Sequence, residues 1–228
     1  MIGIIGAMGI EVRALADKLE NKQTVSVSGI DFQTGTIHGK DVVLAVCGIG
    51  KVFAAICTEA MILKFQPDVI INTGVAGTLS DKLSIGDVAV STHVVQHDMD
   101  TTALGDPPGL LSGLGIVKIP ADPKTCDALS AIIREKGINT LQGVIATGDK
   151  FLASAEVKTH IVDTFSAIAG EMEGGSVGHV CFVNNVPFCV LRAISDCADG
   201  SGAENYMEFL EESAAAAVSV MDAFLMAY

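Results

Sequence analysis

The chain has 228 residues, half of them hydrophobic, and a net charge of −13 with only three arginines. That balance argues against nucleic acid and anionic membrane as partners, because both call for a basic surface. Mean hydropathy is +0.49, yet every apolar run is of strand length, so no stretch is long enough to span a membrane.

In chain order, Ile2–Ile5 reads as a strand that closes on a Gly6-Ala7 turn. From Glu11 to Leu19 the residues Val12, Leu15, Ala16 and Leu19 recur at helical spacing. Strands are predicted at Thr24–Val27, Phe32–Ile37 and Val42–Val46. "GIGKV" then turns into a helix running to about Leu63. Asp68–Asn72 is an apolar strand closing on "TGVAG", and Val88–Val95 is another. "GDPPGLLSG" (Gly105–Gly113) is loop, because paired prolines and glycines permit little else. Ala128–Arg134 is helical, Leu141–Ala146 a strand and Ala155–Phe165 a helix. Ala167–Met172 and Phe188–Ala193 are strands around a helix from about Gly175 to Val183. A last helix from about Glu204 to Met226 carries Tyr206, Phe209, Leu210, Val218, Met221, Phe224 and Leu225 on one stripe.

Strands alternating with helices predict an α/β fold with a largely parallel sheet, covered on both faces. No linker or repeat divides the chain, so residues 1–228 are expected to form a single domain. The apolar excess also suggests a buried subunit interface. "MIGIIGAMG" lacks a basic leader, and no signal peptide is expected. Six cysteines without a C-x-x-C pair predict reduced, buried thiols in a cytoplasmic protein.

In α/β sheets the site gathers at the carboxyl ends of strands. "GAMGIE", "TGVAG", "GEMEGG" and "RAISDCAD" fall there. Glu171 and Glu173, two apart at a strand end, lie on one side of the sheet. Like charges there repel unless a cation or a hydroxyl-rich ligand sits between them. Arg192, in the apolar run "FCVLRAIS", is a candidate cation, and a plain buried ion pair is an equal reading. Asp196 suits a general acid, since an apolar setting raises a carboxyl pKa, or it caps a turn, as Asp199 equally does. Glu11 is either a reacting carboxylate or a first-turn acid favoured by the helix dipole. "GAMG" and "GIG" are weak phosphate signals, matching no nucleotide-loop pattern. His97, Asp98 and Asp100 in "QHDMD" have no further ligand group at a recognised spacing, so no metal is expected.

Together "IGIIGAM..E", "CGIGKV", "INTG.AG", "GD.F", "EME" and "RAISD.AD" resemble the 5′-methylthioadenosine/S-adenosylhomocysteine nucleosidases, over nearly the whole chain. The resemblance implies a three-layer αβα sandwich with a mixed, partly barrel-like central sheet, as in the purine nucleoside phosphorylases and hydrolases. It implies a homodimer, no cofactor, a place in methionine salvage, and hydrolysis of the N-glycosidic bond of adenine nucleosides through an oxocarbenium-like transition state. By that resemblance Glu11 activates water, with Arg192 and Glu171 or Glu173 helping to place it. Glu173 accepts hydrogen bonds from the ribose, which Met172 lines. Asp196, supported by Ser195, protonates purine N7. Phe151 stacks on adenine and the Leu152 backbone reads its amino edge. Ala7, Met8, Ile49, Val75 and Gly77 complete the substrate-binding wall. Thr101 is a further substrate-binding residue, and Leu104 and Asp106 stand in a loop that the partner subunit contributes, opposite Tyr206.

The scarcity of arginine favours a hydrolase over a phosphorylase, which must hold a phosphate dianion. Several positions depart from the family pattern. Gly9 and Ile10 replace acids, Val75 replaces a serine, Leu104 and Asp106 stand where aromatics are common, and Tyr206 replaces a phenylalanine. The 5′ pocket is therefore altered. Methylthioadenosine, S-adenosylhomocysteine, 5′-deoxyadenosine and 6-amino-6-deoxyfutalosine all remain candidate substrates, with a phosphorylase or a non-catalytic nucleoside-binding protein as further alternatives.

Overall fold

The computed structural model describes residues 1–196 and 202–228, and only the backbone over 202–205. Asp199 lies outside the described residues. β1 (Ile2–Gly6) leads into a 3-10 turn (Gly9–Glu11) and a short α1 (Arg13–Ala16). β2 (Glu20–Val27), β3 (Ile30–Ile37) and β4 (Lys40–Val46) follow, then α2 (Lys51–Phe65) and β5 (Val69–Thr78). β6 (Val88–Gln96), a 3-10 turn (Thr102–Leu104), β7 (Ile119–Pro120), α3 (Pro123–Glu135) and β8 (Thr140–Thr147) come next. α4 (Ala155–Phe165), β9 (Ala167–Glu171), α5 (Gly174–Val183), β10 (Phe188–Asp196) and α6 (Gly202–Ala227) complete the chain.

The strands form one sheet in the order β10-β6-β8-β9-β5-β1-β4-β3-β2, with β7 beside β6. β10 also pairs with β5, which closes β10, β6, β8, β9 and β5 into a ring. The sheet is mixed: β2–β3, β3–β4, β5–β9 and β6–β10 are antiparallel. A largely parallel sheet is therefore corrected, and the mixed, barrel-like sheet flanked by helices that the motifs implied is the one found. β1 and β10 are buried along their whole length, as strands covered on both faces must be.

Two local expectations fail. The helix expected over Glu11–Leu19 shrinks to four residues, because the Glu11 carboxylate turns back to accept the Met8 N–H at 2.8 Å and tightens the first turn. β5 does not stop at Asn72 but runs through "TGVAG" to Thr78. Its second half finds partners in β10 and β9 that local sequence does not reveal. The parallel β5–β10 register sets Arg192 beside Gly74 and Asp196 beside Gly77, bringing two distant motifs together.

Candidate active site

A cavity of about 260 Å³ opens where these strands end. Ala7, Met8 and Glu11 enter after β1, Ile49 after β4, and Val75 and Gly77 from β5. Phe151 follows β8, Glu171–Glu173 end β9, Ser195 and Asp196 end β10, and Tyr206 comes from α6.

Arg192, 1% exposed, anchors the charged side. Its Nη2 donates to Asn72 Oδ1 at 2.5 Å and to Glu171 Oε2, and lies 3.5 Å from Glu173 Oε2. Burial opposes the guanidinium charge, but Glu171, Glu173 and Glu11 together outweigh it and raise its pKa. Asn72 is itself tied to the Ile5 carbonyl at 2.9 Å, so β1, β5 and β10 are locked at this point.

The two carboxylates of "EME" have different tasks. Glu171 Oε2 accepts the N–H groups of Glu173 (3.0 Å) and Gly174 (2.6 Å), and Oε1 accepts the Thr147 hydroxyl. It is saturated within the protein and charges the start of α5, where an anion is favoured. Glu173 keeps a freer carboxylate. One oxygen accepts the Gly50 N–H at 2.9 Å and the other faces Arg192 and the cavity. Gly50 opens α2 at φ 99°, a left-handed conformation that suits glycine and points its N–H at Glu173.

Burial, then repulsion from Glu171, push the Glu173 pKa up to about 7, against the pull of Arg192. Burial also raises Glu11, again against Arg192, while Glu11 accepts N–H groups from Met8 and Val75. A carboxyl raised above its ordinary 4.5 binds more protons folded than unfolded between that pH and its native pKa. The stability it contributes is thus full below 4.5 and lost as pH rises through about 7. Glu173→Gln removes this titration. Its melting temperature should fall less steeply than that of the wild type between pH 4.5 and 7, and an unchanged slope would show that Glu173 does not titrate there.

On the opposite wall Asp196 is buried and accepts the Ser195 hydroxyl at 3.2 Å. A Cβ on Gly77 would stand 2.6 Å from its Oδ2, so only glycine leaves this carboxyl its place. Lys158 Nζ lies 3.7 Å from the same oxygen. Phe151 and Tyr206 form the outer rim, edge to face with ring centroids 5.7 Å apart. The Tyr206 hydroxyl lies 3.5 Å from Met8 Sδ.

Some expected site residues stand elsewhere. Thr101, Leu104 and Asp106 do not line the cavity of their own chain. The turn projects outward, with Leu104 83% exposed and Asp106 accepting the Thr101 hydroxyl at 2.8 Å. Leu152 packs its side chain into the core with Leu79 and Val95 and is not among the residues that line the cavity. Asp98 of "QHDMD" pairs with Lys51 Nζ at 2.6 Å and accepts the Asp149 N–H at 2.9 Å, which gives it a structural partner set. Sequence reasoning missed Asn72, Thr147, Gly50 and Lys158. Asn72 within "VIINTG" was the plainest signal, a polar residue inside an apolar strand.

The family profile described as the phosphorylase superfamily matches residues 1–226. A 5′-methylthioadenosine/S-adenosylhomocysteine nucleosidase of Staphylococcus aureus is 39% identical over 226 residues, 99% of either chain. Among solved structures, a mutant of the Helicobacter pylori nucleosidase with 5′-methylthioadenosine in its active site superposes with a TM-score of 0.95. It is 36% identical, and the match covers 100% of this chain and 98% of that one. A futalosine hydrolase mutant of Helicobacter pylori matches at TM-score 0.95 and 35% identity, over 100% of this chain and 99% of that one. The chain belongs to the 5′-methylthioadenosine/S-adenosylhomocysteine nucleosidases of the phosphorylase superfamily.

Proposed function

We propose that this cavity hydrolyses the N-glycosidic bond of 5′-substituted adenine nucleosides and releases adenine. The supporting observation is the ring of Glu11, Glu171 and Glu173 around a single committed guanidinium. A phosphate nucleophile would have to displace Glu171 or Asn72 from Arg192 and meet Glu11 and Glu173 directly. A neutral water meets no such repulsion. An oxocarbenium-like ribose, which gains positive charge as the bond breaks, is stabilised by the same carboxylates.

In this reading Glu173 accepts the ribose hydroxyls and Met172 lines the sugar. Glu11, with Arg192 behind it, takes a proton from water. Asp196 gives a proton to N7 of the leaving base. Phe151 stacks on adenine and the Leu152 backbone reads its edge. Purified protein should release adenine from methylthioadenosine, S-adenosylhomocysteine, 5′-deoxyadenosine or 6-amino-6-deoxyfutalosine in phosphate-free buffer. Release that requires phosphate would make it a phosphorylase, and binding without release a nucleoside sensor. The last substrate belongs in the panel because a solved relative is named a futalosine hydrolase and because Tyr206 puts a hydroxyl on the rim.

The proposal extends to a homodimer. α2 and α5, which pack together, expose Val52, Phe53, Leu63 and Val183, apolar surface of the kind an obligate interface covers, and Leu104 is exposed as well. Light scattering should give twice the chain mass, and Leu104→Asp should weaken nucleoside binding if the turn reaches the partner's cavity. A monomer with full activity would refute this part. Methionine salvage in the cytoplasm fits such a nucleosidase. Its described cysteines are all buried and free, and no helix among the described residues is long and apolar enough to cross a membrane.

A further inference from the structure

α4 buries three side chains, Lys158, Ile161 and Phe165, at spacings of three and four residues. That is the apolar stripe of a surface helix, and a lysine there contradicts the pattern. Lysine is almost never fully buried unless paired, yet Lys158 is 3% exposed. Its ammonium lies 3.7 Å from Asp196 Oδ2, with both side chains screened from water. Broken local rules of this kind concentrate at functional or strained sites.

We propose that Lys158 is a positioning residue for the proton donor, holding the Asp196 carboxyl at the base end of the cavity and stabilising the carboxylate left after proton transfer. The inference rests on Asp196 being that donor. In the transfer Asp196 gives its proton to N7 of the base. The N9–C1′ bonding pair passes to the base, water oxygen bonds to C1′, and Glu11 takes the water proton. Negative charge then appears on Asp196 in a site nearly closed to water, where a neighbouring cation is most effective. Lys158 takes no part in the proton transfer itself. Among the described residues the other cavity groups do not take this part: Tyr206 from α6 is neutral, Glu11, Glu171 and Glu173 repel a new carboxylate, Arg192 is committed to them, and β5 brings Val75, Ala76 and Gly77, none of them charged.

The test is the pH profile of kcat/KM in three variants. Asp196→Asn identifies the limb that belongs to Asp196, because that limb disappears. In Lys158→Met the same limb should lie about one pH unit higher, since loss of a neighbouring cation favours the protonated acid. The maximal kcat should fall roughly tenfold with KM little changed. Lys158→Arg should keep the wild-type limb. Limb position does not depend on the folded fraction, so a partly unfolded preparation still reports it. A limb unmoved in Lys158→Met, or raised in Lys158→Arg, overturns the proposal. Full activity and an intact profile in Asp196→Asn would instead overturn its premise, the assignment of the donor.

Discussion

Asp196→Asn should lower adenine release by on the order of a hundredfold or more, the usual scale of general acid catalysis. The amide keeps the shape beside Gly77 and still accepts the Ser195 hydroxyl. It has no proton acidic enough to give to N7, so the base must leave as a poorer leaving group. Substrate binding should change far less, and the loss should sit in kcat. Single-turnover adenine release, read beside a binding isotherm for the same nucleoside, separates the two. A variant within a few-fold of wild type would remove Asp196 from the mechanism.

Glu11→Gln should bind nucleoside and stall. Glu11 is buried with its pKa raised, chiefly by burial, which moves it toward the range where a carboxylate takes a proton from water effectively. Glutamine can occupy the same turn beside Met8 but cannot accept that proton. Turnover should again fall on the order of a hundredfold, and the intact nucleoside should be recoverable from the protein after gel filtration. Normal turnover would return Glu11 to a structural acid that shapes the Gly9–Glu11 turn, and the base would have to be sought at Glu173. Glu171 is a poor substitute, since Thr147, two backbone amides and Arg192 already occupy its oxygens.

Much of this was legible before the structure. The apolar runs marked most strands and helices, and six motifs in order pointed to the family and its mixed sheet, which the comparisons support. The rest depended on contacts between distant residues. The extension of β5 through "TGVAG" follows from its pairing with β10 more than 100 residues later. The shortened α1 follows from one carboxylate turning back on its own turn. Glu171 and Glu173 look alike in the string, and only their donors distinguish them. Lys158 went unread because its meaning depends on what β10 places opposite it.

The ring closure of the sheet bears on how so apolar a chain stays dispersed. Pairing of β10 with β5 leaves that side of the sheet without an open edge. The long unpaired edge is β2, whose sequence ENKQTVSV is mostly exposed and begins with charged and amide side chains. An open edge is a template for pairing with other chains, and polar or charged residues along it discourage that pairing. The most apolar strands, β1, β5 and β10, are interior, each with a strand neighbour on either side. Resistance to aggregation is thus placed in one short polar segment, and an apolar substitution at Lys22 or Gln23 would act on colloidal behaviour while leaving the chemistry untouched.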